Sequence, residues 1–218
     1  MYTTKTERLN SLSLIPPKPC HDDHDNAKQN LKSDIVADNR EFKIPIFDNL
    51  NRGRVAIFID GNSLFYAAFQ LGIVINYTKL LHCLTAGNKL LRPFFYTGVD
   101  PNNDKQHSFL LWMRRHGYRV IAKELIKFAD GSQKADLNIE ITVDMMALIG
   151  SYDTAVLVSG DGDLAYAINA ISYKGVRVEV VGLNSMTSNS LINVADAYVD
   201  LQEIKDCIQK TNCAEVSL

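Results

Sequence analysis

The chain has 218 residues and a net charge of −2, a balance that argues against a strongly basic nucleic-acid binder and leaves only local basic patches. Its 46% hydrophobic content is that of a globular protein, and its length suits one sizeable domain with tails. No apolar run reaches about 18 residues and no signal-peptide core opens the chain, so neither a transmembrane helix nor a leader is expected. Cys20, Cys83, Cys207 and Cys213 include no CxxC pair. They fit neither a zinc knuckle nor a disulfide framework, and reduced thiols in a cytoplasmic protein are the simple reading.

Residues 1–50 are polar, with Pro16, Pro17 and Pro19 and the run His21-Asp22-Asp23-His24-Asp25. They read as a mostly disordered N-terminal arm, and the His/Asp run as solvated tail rather than metal site. Phe42 to Phe47 is more apolar, a segment suited to packing on the domain or to binding a protein partner in extended form.

A domain is expected over residues 51–203. Its first strand runs from Arg54 to Asp60, and a helix follows with Leu64, Ala67, Ala68 and Leu71 on one face until Gly72 stops it. Tyr77 to Ala86 reads as a second helix and Leu90 to Thr97 as a second strand, with Pro93 marking an irregular start. Asp104 to His116 is a helix, Tyr118 to Leu125 a strand, and Asp130-Gly131-Ser132 a turn. The helix expected over Asp136 to Ile149 turns Ile139, Val143, Met146 and Ala147 inward. Thr154 to Ser159 is the fourth strand, Asp163 to Tyr173 a helix and Val176 to Val181 the fifth strand. Ser188 to Ala195 is a short helix, Tyr198-Val199 a last short strand and Leu201 to Lys210 a terminal helix; residues 204–218 complete that helix and end in a polar tail. Alternating strands and helices favour a parallel sheet covered on both faces.

Two strand ends share one pattern. Val55-Ala56-Ile57-Phe58-Ile59 ends in Asp60-Gly61-Asn62, and Ala155 to Val158 leads into Ser159-Gly160-Asp161-Gly162-Asp163. Parallel strands end on one edge, where open α/β sheets bind their ligands. Neighbouring strands would therefore bring Asp60, Asp161 and Asp163 together. Carboxylates about 4 Å apart repel by ~1 kcal/mol in water and ~4 kcal/mol at an effective dielectric near 20. A hard divalent cation, Mg²⁺ or Mn²⁺, relieves that repulsion. One Asp-Gly after a strand is an ordinary turn and helix cap; two at neighbouring strand ends point to a site.

These stretches resemble the signature motifs of the NYN domain, a branch of the PIN-like nucleases that includes the LabA-type proteins. Lys134 to Met146 and Gly175 to Gly182 extend the resemblance, which covers roughly residues 53 to 203. It implies a three-layer α/β/α PIN-like domain with a mostly parallel five-stranded sheet, order 3-2-1-4-5, and an acidic, metal-binding pocket that cleaves RNA. By this resemblance Asp60, Asp161, Asp163 and Asn62 are catalytic, and the three aspartates bind metal. Asp144 matches an acidic position on the middle helix, and it and Ser159 would support the site from behind. Relatives place an aspartate six residues before the position of Asp144, where this chain has Asn138. Either Asn138 ligates through its neutral carbonyl, or Asp136 supplies the missing carboxylate.

RNA is the expected partner, and a membrane is not. Lys105, Arg114, Arg115 and Lys134 are candidates for phosphate contacts, and Tyr66, Tyr96 and Phe128 for base stacking, against the plainer reading of charged helix faces and core aromatics. The alternative to a ribonuclease is a catalytically weak or inactive regulatory protein acting by RNA or protein binding. The LabA-type resemblance, with its association with circadian gene expression, and Asn138 both point that way. No Walker-type phosphate loop is present, so nucleoside triphosphate hydrolysis is not expected.

Overall fold

In a computed structural model, residues 51–128 and 133–210 are described. The His/Asp run at 21–25, the Phe42–Phe47 segment, the turn at 130–132 and the polar end from 211 lie outside them. Strand β1 (Arg54–Asp60) runs straight into helix α1 (Gly61–Leu71). Gly72 ends that helix at φ 67°, donating its N–H to the carbonyls of Ala68 and Phe69, a left-handed cap that glycine adopts without strain. Helix α2 (Tyr77–Thr85) is capped by Asn76, which accepts the N–H groups of Thr78 and Lys79. Strand β2 (Lys89–Val99) pairs parallel with β1, and its register slips by one residue at Leu91, just before Pro93. Pro93 thus marks a bulge, as the sequence suggests.

Helix α3 (Asp104–Arg115) leads to β3 (Arg119–Glu124), and a two-stranded ribbon (Ile126–Lys127 with Gln133–Lys134) precedes helix α4 (Asn138–Ala147). Strand β4 (Thr154–Val158), helix α5 (Ala165–Ser172), β5 (Arg177–Gly182), α6 (Asn189–Val194), β6 (Ala197–Asp200) and α7 (Leu201–Ile208) complete the order. The sheet runs 3-2-1-4-5-6, all parallel. The sheet thus has six strands among the described residues, not five. Ala197–Asp200 covers the outer edge of β5, with Glu179 opposite Ala197 and Gly182 opposite Asp200. Tyr198-Val199, read from the sequence as a last short strand, forms its middle, so the correction is to the five-strand count that the resemblance implies.

Alternation along β1 builds two cores. Val55, Ile57 and Ile59 meet α1, α2, α3 and α7, whereas Ala56 and Phe58 meet α4, α5 and α6. Phe58 stacks on Phe94 with ring centroids 5.1 Å apart and meets Tyr152 edge-on.

Helix α4 corrects the sequence reading. Its inward residues are Ile141 and Met145, with Leu137 just before them, while Ile139, Val143, Met146 and Ala147 are exposed. Two polar contacts set this rotation. The buried Tyr96 hydroxyl donates to Asp144 Oδ2 at 2.9 Å, and Asn138 reaches Asp161. A buried phenol needs a partner, so the Asp144 side of the helix must face β2.

Candidate functional site

The C-terminal edge of the sheet gathers polar side chains because β1 and β4 are hydrogen-bonded neighbours, with Ile59 level with Val158. The next residues, Asp60 and Ser159, therefore leave the sheet side by side. Asp60 caps α1: its Oδ1 accepts the backbone N–H of Asn62 at 3.0 Å and of Ser63 at 3.3 Å. Its Oδ2 accepts the Ser63 hydroxyl and, at 3.3 Å, the hydroxyl of Ser159. Ser159 is almost fully buried and in turn accepts the backbone N–H of Asp161 at 3.2 Å.

Asp161 repeats the same device. Its Oδ1 accepts the N–H of Asp163 at 3.0 Å, capping a 3₁₀ turn at Gly162–Leu164. Its Oδ2 accepts the side-chain amide of Asn138 at 2.8 Å. A continuous chain of contacts thus runs Ser63, Asp60, Ser159, Asp161, Asn138, drawn from α1, β1, the end of β4 and the start of α4. Both aspartates are helix caps, the plain reading of Asp-Gly, and each also keeps an oxygen for side chains from another element.

Close backbone packing holds the edge. A side chain at Gly61 would strike the Phe95 ring at 2.7 Å and the Tyr96 carbonyl at 2.8 Å. One at Gly160 would collide with the Met186 carbonyl. Ser188 N–H also donates to the Gly160 carbonyl at 3.0 Å, so the loop after β5 is clamped against the Ser159–Asp161 turn. Beside Ser63 and Ser159 opens a small, shallow pocket whose other walls include Leu64, Ala67, Val158, Val181, Leu183 and Leu201.

The remaining sequence candidates are distributed around this chain of contacts. Asn62 is exposed directly beside Asp60. Asp163 is exposed and joins through its backbone N–H. Asp136 is directed elsewhere: its Oδ1 accepts the Asn138 N–H at 3.0 Å, and its Oδ2 lies 3.9 Å from Lys134 Nζ. Of the two alternatives for the missing position, Asn138 is therefore the one that reaches Asp161. Asp144 stands behind the site, tied to Tyr96, which itself pairs with Asp60 across β1 and β2. Burial, followed by the Asp144 charge, pushes the Tyr96 phenol far above its ordinary pKa.

Tyr96 is thus a buried support and not a stacking platform. Tyr66 is half-buried, edge-on to Phe65 at 5.5 Å, while Phe128 is exposed. Lys105 lies in the first turn of α3, at the site's edge of the sheet, but Arg114 and Arg115 occupy the last turn, about 15 Å along the axis. The sequence reading missed Ser63. Its signal was its place three residues after an aspartate cap, one helical turn on, where a side chain points back at the cap.

Among the described residues no group of three or more His, Cys, Asp or Glu side chains could hold a metal ion. The donors present are two carboxylates, two seryl hydroxyls and one carboxamide. Mg²⁺ is commonly bound through one or two carboxylates while keeping several waters. This set therefore suits one hard ion and not a pair. Asn138 joins such a set through its carbonyl, which requires turning the amide that now donates to Asp161.

Comparison with known proteins agrees with this architecture. The NYN domain family model matches residues 54–202. The low amplitude and bright protein LabA of Synechococcus elongatus is 36% identical over 170 residues, which span 74% of this chain and 91% of LabA. A crystal structure of a protein of unknown function from Vibrio parahaemolyticus superposes with a TM-score of 0.64 at 28% identity, covering 73% of this chain and 97% of that one. No helix among the described residues is long and apolar enough to cross a membrane. With the family model spanning well over half its length, the chain belongs to the NYN domain family.

Proposed function

We propose that this chain hydrolyses RNA phosphodiester bonds at the C-terminal edge of its sheet, assisted by one divalent ion, Mg²⁺ or Mn²⁺. The observation that carries the reading is that Ser159 links Asp60 and Asp161 at adjacent strand ends, its hydroxyl donating to the Asp60 carboxylate and accepting the Asp161 backbone N–H. Asp60, Asp161 and Asn138 are the residues that would hold the ion. When bound, such an ion lowers the pKa of a coordinated water towards neutrality.

The chain's own groups do the rest. Ser63 and Ser159 donate to Asp60 and hold its carboxylate in place. Asn62, exposed directly beside Asp60, is placed to orient a phosphate or a water. Asp163 adds negative potential at the rim. Lys105 and Lys134, both exposed, are the proposed phosphate grips at this edge; Arg114 and Arg115 sit too far down α3 to share that role. Asp144, through Tyr96, fixes the helix that presents Asn138.

A second reading has its own observation. Asn138 donates an amide N–H to Asp161 at 2.8 Å, so a neutral donor already satisfies the oxygen that a cation would take. A chain built this way binds metal weakly and acts mainly by binding RNA or protein, as a regulator. Labelled single-stranded RNA incubated with Mn²⁺, with Mg²⁺ and with EDTA separates the two. Cleavage that EDTA stops is the expected result. RNA retention without cleavage in either metal supports the regulator and contradicts the nuclease.

A further inference from the structure

Helices α4 and α5 lie side by side on one face of the sheet, and both start at the site's edge and run to the opposite edge. Each carries an apolar stripe that nothing in the described residues covers. On α4, Ile139 is 73% exposed, Val143 57% and Met146 38%, at i, i+4 and i+7. On the α5 side, Tyr166 is 85% and Tyr173 82% exposed, again seven residues apart. Seven helical residues span about 10.5 Å, so the two stripes match in length and form one patch. The sequence of α5, Ala165 to Ser172, holds no charged residue.

We infer that this face docks a second copy of the same chain, with the helices antiparallel about a two-fold axis near Val143. Charge placement selects that occupant. Exposed Asp163 lies just ahead of Tyr166, and exposed Lys174 follows Tyr173. Reversing one copy against the other sets Asp163 beside the partner's Lys174 at both ends, because a two-fold interface repeats every contact. The same operation lays Ile139 on Met146, Tyr166 on Tyr173 and Val143 on itself.

The area suffices. Aromatic side chains bury about 150–250 Å² each, so the two tyrosines offer roughly 300 Å² and the three aliphatic residues about 200 Å² more. Two copies hide about 1,000 Å², where a specific interface begins to be stable. Tyrosine and methionine are also enriched at such surfaces. Because Ile139 follows Asn138 and Tyr166 lies three residues beyond Asp163, the second copy would border the acidic edge without filling it.

Sedimentation of the full chain over about 1 to 100 µM, bracketing a micromolar Kd, tests this. The expected species is a dimer of the 24.4 kDa chain. Val143→Glu puts like charges together on the axis and is expected to weaken it about 100-fold. That position is exposed, so the far-ultraviolet circular dichroism should not change. Lys174→Asp is expected to weaken the dimer, and adding Asp163→Lys to restore it, since each end then regains opposite charges. A monomer at every concentration overturns the inference, as does a dimer indifferent to Val143→Glu. Failure of the double reversal to restore association overturns the antiparallel pairing.

Discussion

Replacing Glu179 with alanine is expected to cost about 3–5 kcal/mol of stability, read as a lowered urea midpoint with an unchanged slope. Glu179 sits in the middle of β5, and neither its side chain nor that of Arg52 has any exposure to solvent. Its carboxylate receives Arg52 through both Nε and Nη2, and Arg177 Nε at 2.8 Å. Arg52 Nη1 also donates to the carbonyl of Leu84 at 2.8 Å and of Thr85 at 3.2 Å. One buried ion pair thus joins the start of β1, the end of α2 and the far strand β5. Without Glu179 the guanidinium keeps its charge, since arginine does not deprotonate in proteins, and loses the buried carboxylate it grips through Nε and Nη2. Arg52→Met is expected to cost less, because Glu179 keeps Arg177 Nε as a charged partner at 2.8 Å. Equal losses from the two single variants would show that lost packing, not stranded charge, sets the penalty.

Asp161→Asn is expected to lower RNA cleavage by more than about 100-fold, beyond the range seen when a partner of a metal ligand is lost, while the fold survives. Asparagine caps helices as well as aspartate does, so the bond from the Asp163 N–H persists, the charge goes, and the Asn138 amide must turn its carbonyl to keep the contact at the other atom. Asp60→Asn follows the same logic at α1 and should match it in size. Rates of cleavage under saturating Mn²⁺, beside thermal melts of each variant, check both. A variant that melts with the wild type but cleaves equally well would remove that carboxylate from the chemistry.

Much of this was legible in the chain because its strands and helices carry plain periodic signals. The run Val55 to Ile59 ending in Asp60-Gly61, and Ala155 to Val158 ending in Ser159-Gly160-Asp161, mark two strand ends of one pattern in the sequence itself. Helix α4 was not legible in the same way. Ile139, Val143 and Met146 form an apolar stripe as regular as that of Ile141 and Met145, and periodicity cannot choose between two apolar faces. Asp144 and Asn138 choose, through Tyr96 and Asp161, and those partners lie 48 and 23 residues away in sequence. The buried pairing of Glu179 was not legible, because its partner Arg52 is 127 residues distant. The sixth strand was legible only as the pair Tyr198-Val199, and the count of five implied by the resemblance left it out of the sheet, because its pairing to β5 joins residues 18 apart, as Glu179 with Ala197, and leaves no local signal.

Titrating the full chain with Mn²⁺ by calorimetry, beside Asp161→Asn and Asn138→Asp, tests most directly whether the edge between β1 and β4 is a single-ion site. One ion per chain is expected for the wild type, none for Asp161→Asn, and binding about tenfold tighter for Asn138→Asp, since affinity for hard cations rises with ligand charge. Binding that survives Asp161→Asn, or an Asn138→Asp variant as silent as an unresponsive wild type, would contradict it.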